Sequence, residues 1–201
     1  VSVDGRAVAH AEAVFVPRDG VVRLRPAEDG VRAYLAVGGG IDVAPVLGSR
    51  STDTLAWVGP PRVVAGAELP IGSASGSPAA YDAPRPPRPG PLRVDPGPRL
   101  DWFAADALGR LCDTTYTVTT ESNRIGLRLD GPALERVRDE ELPSEGMVLG
   151  AVQVPPNGRP LVFLADHPTT GGYPVLAVVR AEDLWQCAQL RPGDPMRFRA
   201  P

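Results

Sequence analysis

"GAVQVPPNGRPLVFLADHPTTGGYPVLAVV", residues 150–179, sets three short apolar runs around two turn segments, and its periodicity decides the fold class. The first turn, Pro155-Pro156-Asn157-Gly158, has proline early and Asn-Gly after it, which joins the flanking runs as a β-hairpin. In the first strand Gln153 faces opposite to Val152 and Val154, where its amide can read a ligand or simply face solvent. The second turn, Asp166 to Tyr173, is more than a connection. A strand ending at Asp166 brings a carboxylate to a sheet edge, and Gly171 and Gly172 permit positive φ and close approach of a ligand. Successive N–H groups in such a turn form an anion-binding nest, with Thr169 and Thr170 adding hydroxyls. The competing reading is a turn whose threonines satisfy local backbone groups. His167, a lone imidazole before proline, reads as a solvated turn residue.

The same pattern extends outward. "TYTVTTESNRIGLRL" continues as strand, and "PMRFRA" closes the chain with another. Short helices are expected over "WFAADALGRL", capped by Asp101, over "PALERVRDEE", ending at Pro143, and over "AEDLWQCAQL". Residues 1–75 hold alternating runs such as "AVFVP", "GVVRLRP", "VRAYLAVGGG" and "AELPIG", which predict a further barrel or sandwich. Between residues 72 and 98, proline, glycine and serine dominate and predict an extended connection. The predicted organisation is mainly β with a few short helices, divided into residues 1–95 and 96–201.

Composition narrows the function. A net charge of −3 without a basic stripe gives no footprint for nucleic acid. No apolar run reaches the roughly 20 residues that span a bilayer, so a cytoplasmic address without membrane contact is the expectation. Cys112 and Cys187 have unrelated surroundings and suggest neither a disulfide framework nor a metal site. All 21 basic residues are arginine, so neither a P-loop lysine nor a Schiff-base lysine is available. The opening Val1-Ser2-Val3-Asp4-Gly5 reads as the middle of a strand and turn, so a preceding segment is expected.

Two further constellations carry chemistry. In "ESNRIGLRLDGP", residues 121–132, strand alternation puts Ile125, Leu127 and Leu129 on one face and Arg124, Gly126 and Arg128 on the other. A ligand carboxylate or phosphate lying over Gly126 would meet a guanidinium on either side. The plain alternative pairs the arginines with Glu121 or Asp130. In "GGGIDVAPVLGSRST", residues 38–52, three glycines permit an unusual backbone path, and Ser49, Arg50 and Ser51 resemble an oxyanion-binding patch. The spacing is not that of a dinucleotide fingerprint.

Together "RAYLAVGGGIDVAPVLGSRST", "ESNRIGLRL", "GAVQVPPNGRPLVFLADHPTTGGYP" and "AEDLWQCAQLRPGDPMRF" resemble, in order, the marker segments of the biotin-dependent carboxyltransferase family. That family takes in KipA, the C subunit of 5-oxoprolinase, allophanate hydrolase subunit 2 and part of urea carboxylase. The family's usual N-terminal segment is absent here. Two positions depart from its pattern: Asn123 stands where an aspartate is usual and Pro168 where a glutamine often precedes the threonines.

The resemblance implies two cyclophilin-like β-barrel lobes and a related KipI-like partner, the B subunit of 5-oxoprolinase or allophanate hydrolase subunit 1, in a heterodimer or heterotetramer. It implies ATP-dependent cleavage of a small cyclic or ureido amide, with ATP held by this chain or its partner. The alternatives are a carboxyltransferase served by biotin on a separate carrier, or a regulator that binds a kinase-inhibiting partner. On this reading Asp166, Thr169 and Thr170 are the expected catalytic residues. Arg124, Gln153, Gly171, Gly172, Tyr173, Ser49 and Arg50 are expected to bind substrate, and no metal is expected.

Overall fold

The computed structural model describes residues 1–76 and 89–200. It divides the chain into two units: Val1–Glu28 with Ala33–Pro87, and Asp29–Arg32 with Arg88–Pro201.

The first unit holds three two-residue strands, β1 (Ser2–Val3), β2 (Arg6–Ala7) and β3 (Val22–Arg23), in the order β2-β1-β3. "AVFVP" and "VRAYLAV" form no strands, contrary to expectation. No described residue of this unit is buried, and Phe15, Tyr34, Leu47 and Trp57 are exposed. Strand alternation becomes stable structure only when a second layer covers the apolar face, and the described residues supply none.

The second unit is a closed barrel. Its strands are β4 (Leu92–Pro96), β5 (Thr115–Val118), β6 (Gly126–Asp130), β8 (Ala151–Gln153), β9 (Leu161–Phe163), β11 (Val175–Val179) and β12 (Pro195–Arg199). They close in the order β11-β4-β12-β5-β6-β9-β8, and β8 returns to β11. Every pairing is antiparallel except β12 with β4. The Pro-Pro-Asn-Gly turn joins β8 to β9 as predicted, with Val152 opposite Val162 and Gln153 opposite Leu161. A separate two-stranded ribbon pairs β7 (Glu145–Gly146) with β10 (Thr170–Gly171).

Alternation fills the interior. Tyr116 and Val118 of β5 and Met196 and Phe198 of β12 are buried while their neighbours Thr115, Thr117, Arg197 and Arg199 are exposed. The helix α1 (Ala107–Asp113) adds Ala107 and Leu111, one turn apart, to the same core. Strands β8 and β11 are buried on both faces, because a second apolar cluster of Met147, Ala151, Phe163 and Val175 packs outside them. Ile125 lies against this second cluster. It joins the elements that carry Arg124, Gln153 and the 166–173 hinge.

Three expectations need correction. Leu92–Pro96 is a barrel strand, with Leu92 and Val94 buried, so the expected division after residue 95 falls within it; residues 77–88 of the proline-rich run lie outside the described residues. Residues 132–141 form no helix. Their backbone bonds go across the chain: Leu134 N–H to the Gly158 carbonyl, Ala104 N–H to that of Glu135, and Val137 N–H to that of Trp102. Asp101 lies within a 3-10 turn, Leu100–Trp102, and α1 begins only at Ala107. The expected helix over residues 181–190 is present as a 3-10 turn, Ala181–Asp183, running into α2 (Leu184–Cys187).

Candidate functional site

Arg124 and Asp166 meet at the end of β9. The Arg124 Nε lies 3.0 Å from Asp166 Oδ2 and its Nη2 3.2 Å from Oδ1, a two-pronged pair. The backbone fixes the approach, since Asp166 N–H donates to the Arg124 carbonyl and Leu164 N–H to that of Ile125. Asp166 is half-buried and Arg124 remains exposed. The carboxylate thus orients a cation whose outer face meets solvent. Asn123 does not disturb this pair. Its Oδ1 accepts from the N–H groups of Ile125 at 2.8 Å and Gly126 at 3.3 Å, closing the turn that aims Arg124. An amide oxygen fills the acceptor role there as a carboxylate oxygen can.

Gly126 is not a ligand platform. A Cβ there would lie 2.6 Å from Leu161 Cδ1 and 3.0 Å from the Val162 carbonyl oxygen, so strand packing occupies the space. Glycine is needed for the approach of β9. Arg128 is exposed, and Asp130 pairs with Arg159 at 3.0 Å.

Gln153 is buried at 4% exposure, which rules out the solvent-facing reading. Its Nε2 donates to the Tyr173 carbonyl at 3.0 Å and lies 3.7 Å from Met147 Sδ. Gly171 makes room for that amide: a Cβ at 171 would sit 2.9 Å from Gln153 Nε2 and 3.2 Å from Met147 Sδ. Neither Gly171 nor Gly172 has positive φ, and Thr170 and Gly171 pair with β7 as strand, so the expected anion nest is not formed. The hydroxyls of Thr169 and Thr170 are exposed and bond no described group, contrary to the closed-turn reading. Tyr173 turns its carbonyl inward and leaves its side chain exposed. His167 Nδ1 lies 2.7 Å from the Pro168 carbonyl, a contact to its own neighbour in the chain.

Ser49 and Arg50 belong to the other unit. Arg50 Nε donates to the Val43 carbonyl and its Nη2 pairs with Asp42 at 3.1 Å, while Ser49 Oγ accepts from Ser51 N–H. A Cβ on Gly39, at φ +87°, would collide with the Gly72 carbonyl, so the glycine run does follow a path closed to other residues.

Sequence reasoning missed Glu145 and Met147. Glu145 lies opposite Gly171 in the ribbon and pairs with Arg99, 46 residues away, its Oε2 3.0 Å from Arg99 Nε. No local pattern announces so distant a partner.

Other charged groups serve the barrel. Asp183, 9% exposed, accepts from Arg93 Nε at 2.9 Å, Nη2 at 2.8 Å and N–H at 2.8 Å. The Arg93 hydrogen bond holds its carboxyl below the usual carboxylate range against the opposing effect of burial. An open groove of about 690 Å³ beside Asp95, Arg180 and Glu182 contains none of the expected site residues. Burial pushes the Cys187 thiol up to about 12. Among the described residues, no cluster of His, Cys, Asp and Glu could hold a metal ion, and no helix is long and apolar enough to cross a membrane.

A mainly β unit closed into this seven-stranded barrel is the architecture of carboxyltransferase domains. The chain belongs to the family described as the carboxyltransferase domain, subdomain A and B, which matches residues 1–200. It is 40% identical over 179 residues to the 5-oxoprolinase C subunit of Escherichia coli, a match covering 87% of this chain and 58% of the relative. The crystal structure of TTHA0988 superposes with a TM-score of 0.83 at 38% identity, covering 98% of this chain and 39% of that one. The Kluyveromyces lactis urea amidolyase structure gives 0.84 at 26% identity, covering 98% of this chain and 14% of the larger enzyme. The chain therefore spans about three-fifths of the length of the bacterial relative.

Proposed function

We propose that this chain is part of an enzyme subunit that binds a small amide carrying a carboxylate, and that its substrate is 5-oxoproline, opened to glutamate with ATP. The supporting observation is the Asp166-oriented guanidinium of Arg124 at the hinge, on a chain 40% identical to a 5-oxoprolinase C subunit. Arg124 would take the substrate carboxylate on its outward donors, and Gln153 would face the amide. Thr169 and Thr170 offer hydroxyl donors to charge developing on the amide oxygen. Both oxygens of Asp166 contact Arg124, so its proposed part is to position that cation rather than move a proton.

Opening the lactam breaks its C–N bond and adds one water, giving a carboxylate and an amine, with ATP hydrolysis driving the step. This chain has no lysine, and no described glycine-rich loop leads into a helix that could cradle phosphates, so it offers no site of the P-loop kind. ATP would then be held outside these residues, by the remainder of the protein or by a partner of the kind implied by the naming of the bacterial relatives as subunits. For a carboxybiotin reaction the biotinylated lysine would lie outside these residues, which contain none.

The test is ATP hydrolysis by the full-length protein purified with its partners, with 5-oxoproline, allophanate and urea added separately. Stimulation by 5-oxoproline alone is expected. Stimulation by urea with a biotinylated carrier, and not by 5-oxoproline, would replace this reading with carboxyl transfer.

A further inference from the structure

The Gln153 amide has a fixed polarity. Both groups at its Nε2, the Tyr173 carbonyl at 3.0 Å and Met147 Sδ at 3.7 Å, can only accept. Rotating the amide by half a turn would set Oε1 against the Tyr173 carbonyl oxygen, two acceptors in repulsive contact with no donor between them. Nε2 is thus committed inward. Oε1 accepts from no described group, although the residue is only 4% exposed. It is also not among the buried polar atoms that lack a partner, so it keeps an opening to solvent. An acceptor held on a rigid strand, with its other end anchored and its burial nearly complete, is poised to receive one donor from outside.

Packing holds that orientation. Gln153 lies in β8, between the barrel core and the second apolar cluster, and Gly171 of the ribbon leaves room for its Nε2. A side chain at 171 would displace the amide. The glycine that read as a nest residue thus acts through Gln153 instead.

We infer that Gln153 is a specificity-determining residue whose Oε1 requires an N–H on the ligand. The site then takes a lactam or ureido N–H and discriminates against the ester or lactone in which that nitrogen is replaced by oxygen. An oxygen there would face Oε1 acceptor to acceptor and leave a nearly buried group unpaired, which costs far more than loss of a methylene. This inference rests on the proposal that the hinge binds an amide substrate.

The experiment measures binding of 5-oxoproline and of its lactone counterpart, 5-oxotetrahydrofuran-2-carboxylate, to the full-length protein with its partners. Wild type should prefer the lactam by at least about three orders of magnitude. Gln153→Leu, close in volume and without an acceptor, should bring that ratio close to one, by weakening the lactam and relieving the repulsion on the lactone. The ratio in wild type needs no variant, so a Gln153→Leu protein that fails to fold does not remove the test. Equal binding of the two ligands, with Arg124→Ala abolishing both, would overturn the role of Gln153 and keep the amide site. No binding of 5-oxoproline at all would overturn the site and the inference together.

Discussion

Both carboxylate oxygens of Asp166 lie within 3.2 Å of the Arg124 guanidinium, and its backbone N–H donates to the Arg124 carbonyl. The pair is tied at two levels, main chain and side chain, while the outer edge of the arginine stays in solvent. An arginine so held loses less freedom when it captures an anion than one that must first be ordered.

Asp166→Asn separates positioning from proton transfer. The amide can keep one hydrogen bond to Arg124 but loses the charge and the second acceptor. Steady-state kinetics of the assembled enzyme should show KM raised several-fold with kcat changed little and the pH profile retained. A collapse of kcat with loss of one limb of the pH profile would instead make Asp166 the proton carrier.

Acid should weaken the barrel through Asp183. Its folded carboxyl is depressed by Arg93, so the stabilisation is present above the unfolded value of about 3.9 and is lost as pH falls through the folded one. Asp183→Asn should melt below wild type at neutral pH, and the gap should narrow as the pH is lowered beneath about 4. Melting curves across that range read it directly.

Cys187 should be inert. Fully buried, with its thiol pushed up to about 12, it presents almost no thiolate at neutral pH. Mass spectrometry after iodoacetamide treatment should find Cys187 unmodified in the native protein and labelled after denaturation.

Gly158→Ala should destabilise by about 1–3 kcal/mol, from its positive φ and from crowding. The residue sits at φ +73°, and a Cβ would lie 2.7 Å from Ala133 Cβ and 3.0 Å from the Leu134 carbonyl oxygen. Urea unfolding with an unchanged slope would report it.

Much of the barrel was legible because its signals are local. The Pro-Pro-Asn-Gly hairpin follows from turn chemistry, and the alternation in β5 and β12 from the two faces of a strand. Leu92–Pro96 was hidden by the prolines and glycines around it, although Leu92 and Val94 alternate with Arg93 and Asp95. Residues 132–141 misled for the opposite reason: helix-forming side chains there yield to backbone bonds made to residues 102–104 and 158. In the site, the hinge stood out by composition, yet the roles of its glycines did not. Gly126 and Gly171 serve close packing against Leu161 and Gln153, contacts between segments far apart in the chain. The Arg124–Asp166 pair, 42 residues apart, is invisible for the same reason.

The most direct test is 5-oxoproline-stimulated ATP hydrolysis by the complete complex, comparing wild type with Arg124→Ala after confirming that the variant still co-purifies with its partners. The account predicts an intact complex in which stimulation is lost, by about two orders of magnitude in kcat/KM, or about 2.7 kcal/mol. Unchanged stimulation in the intact variant complex would show that the carboxylate is held elsewhere and would contradict the assignment of the hinge as the substrate site.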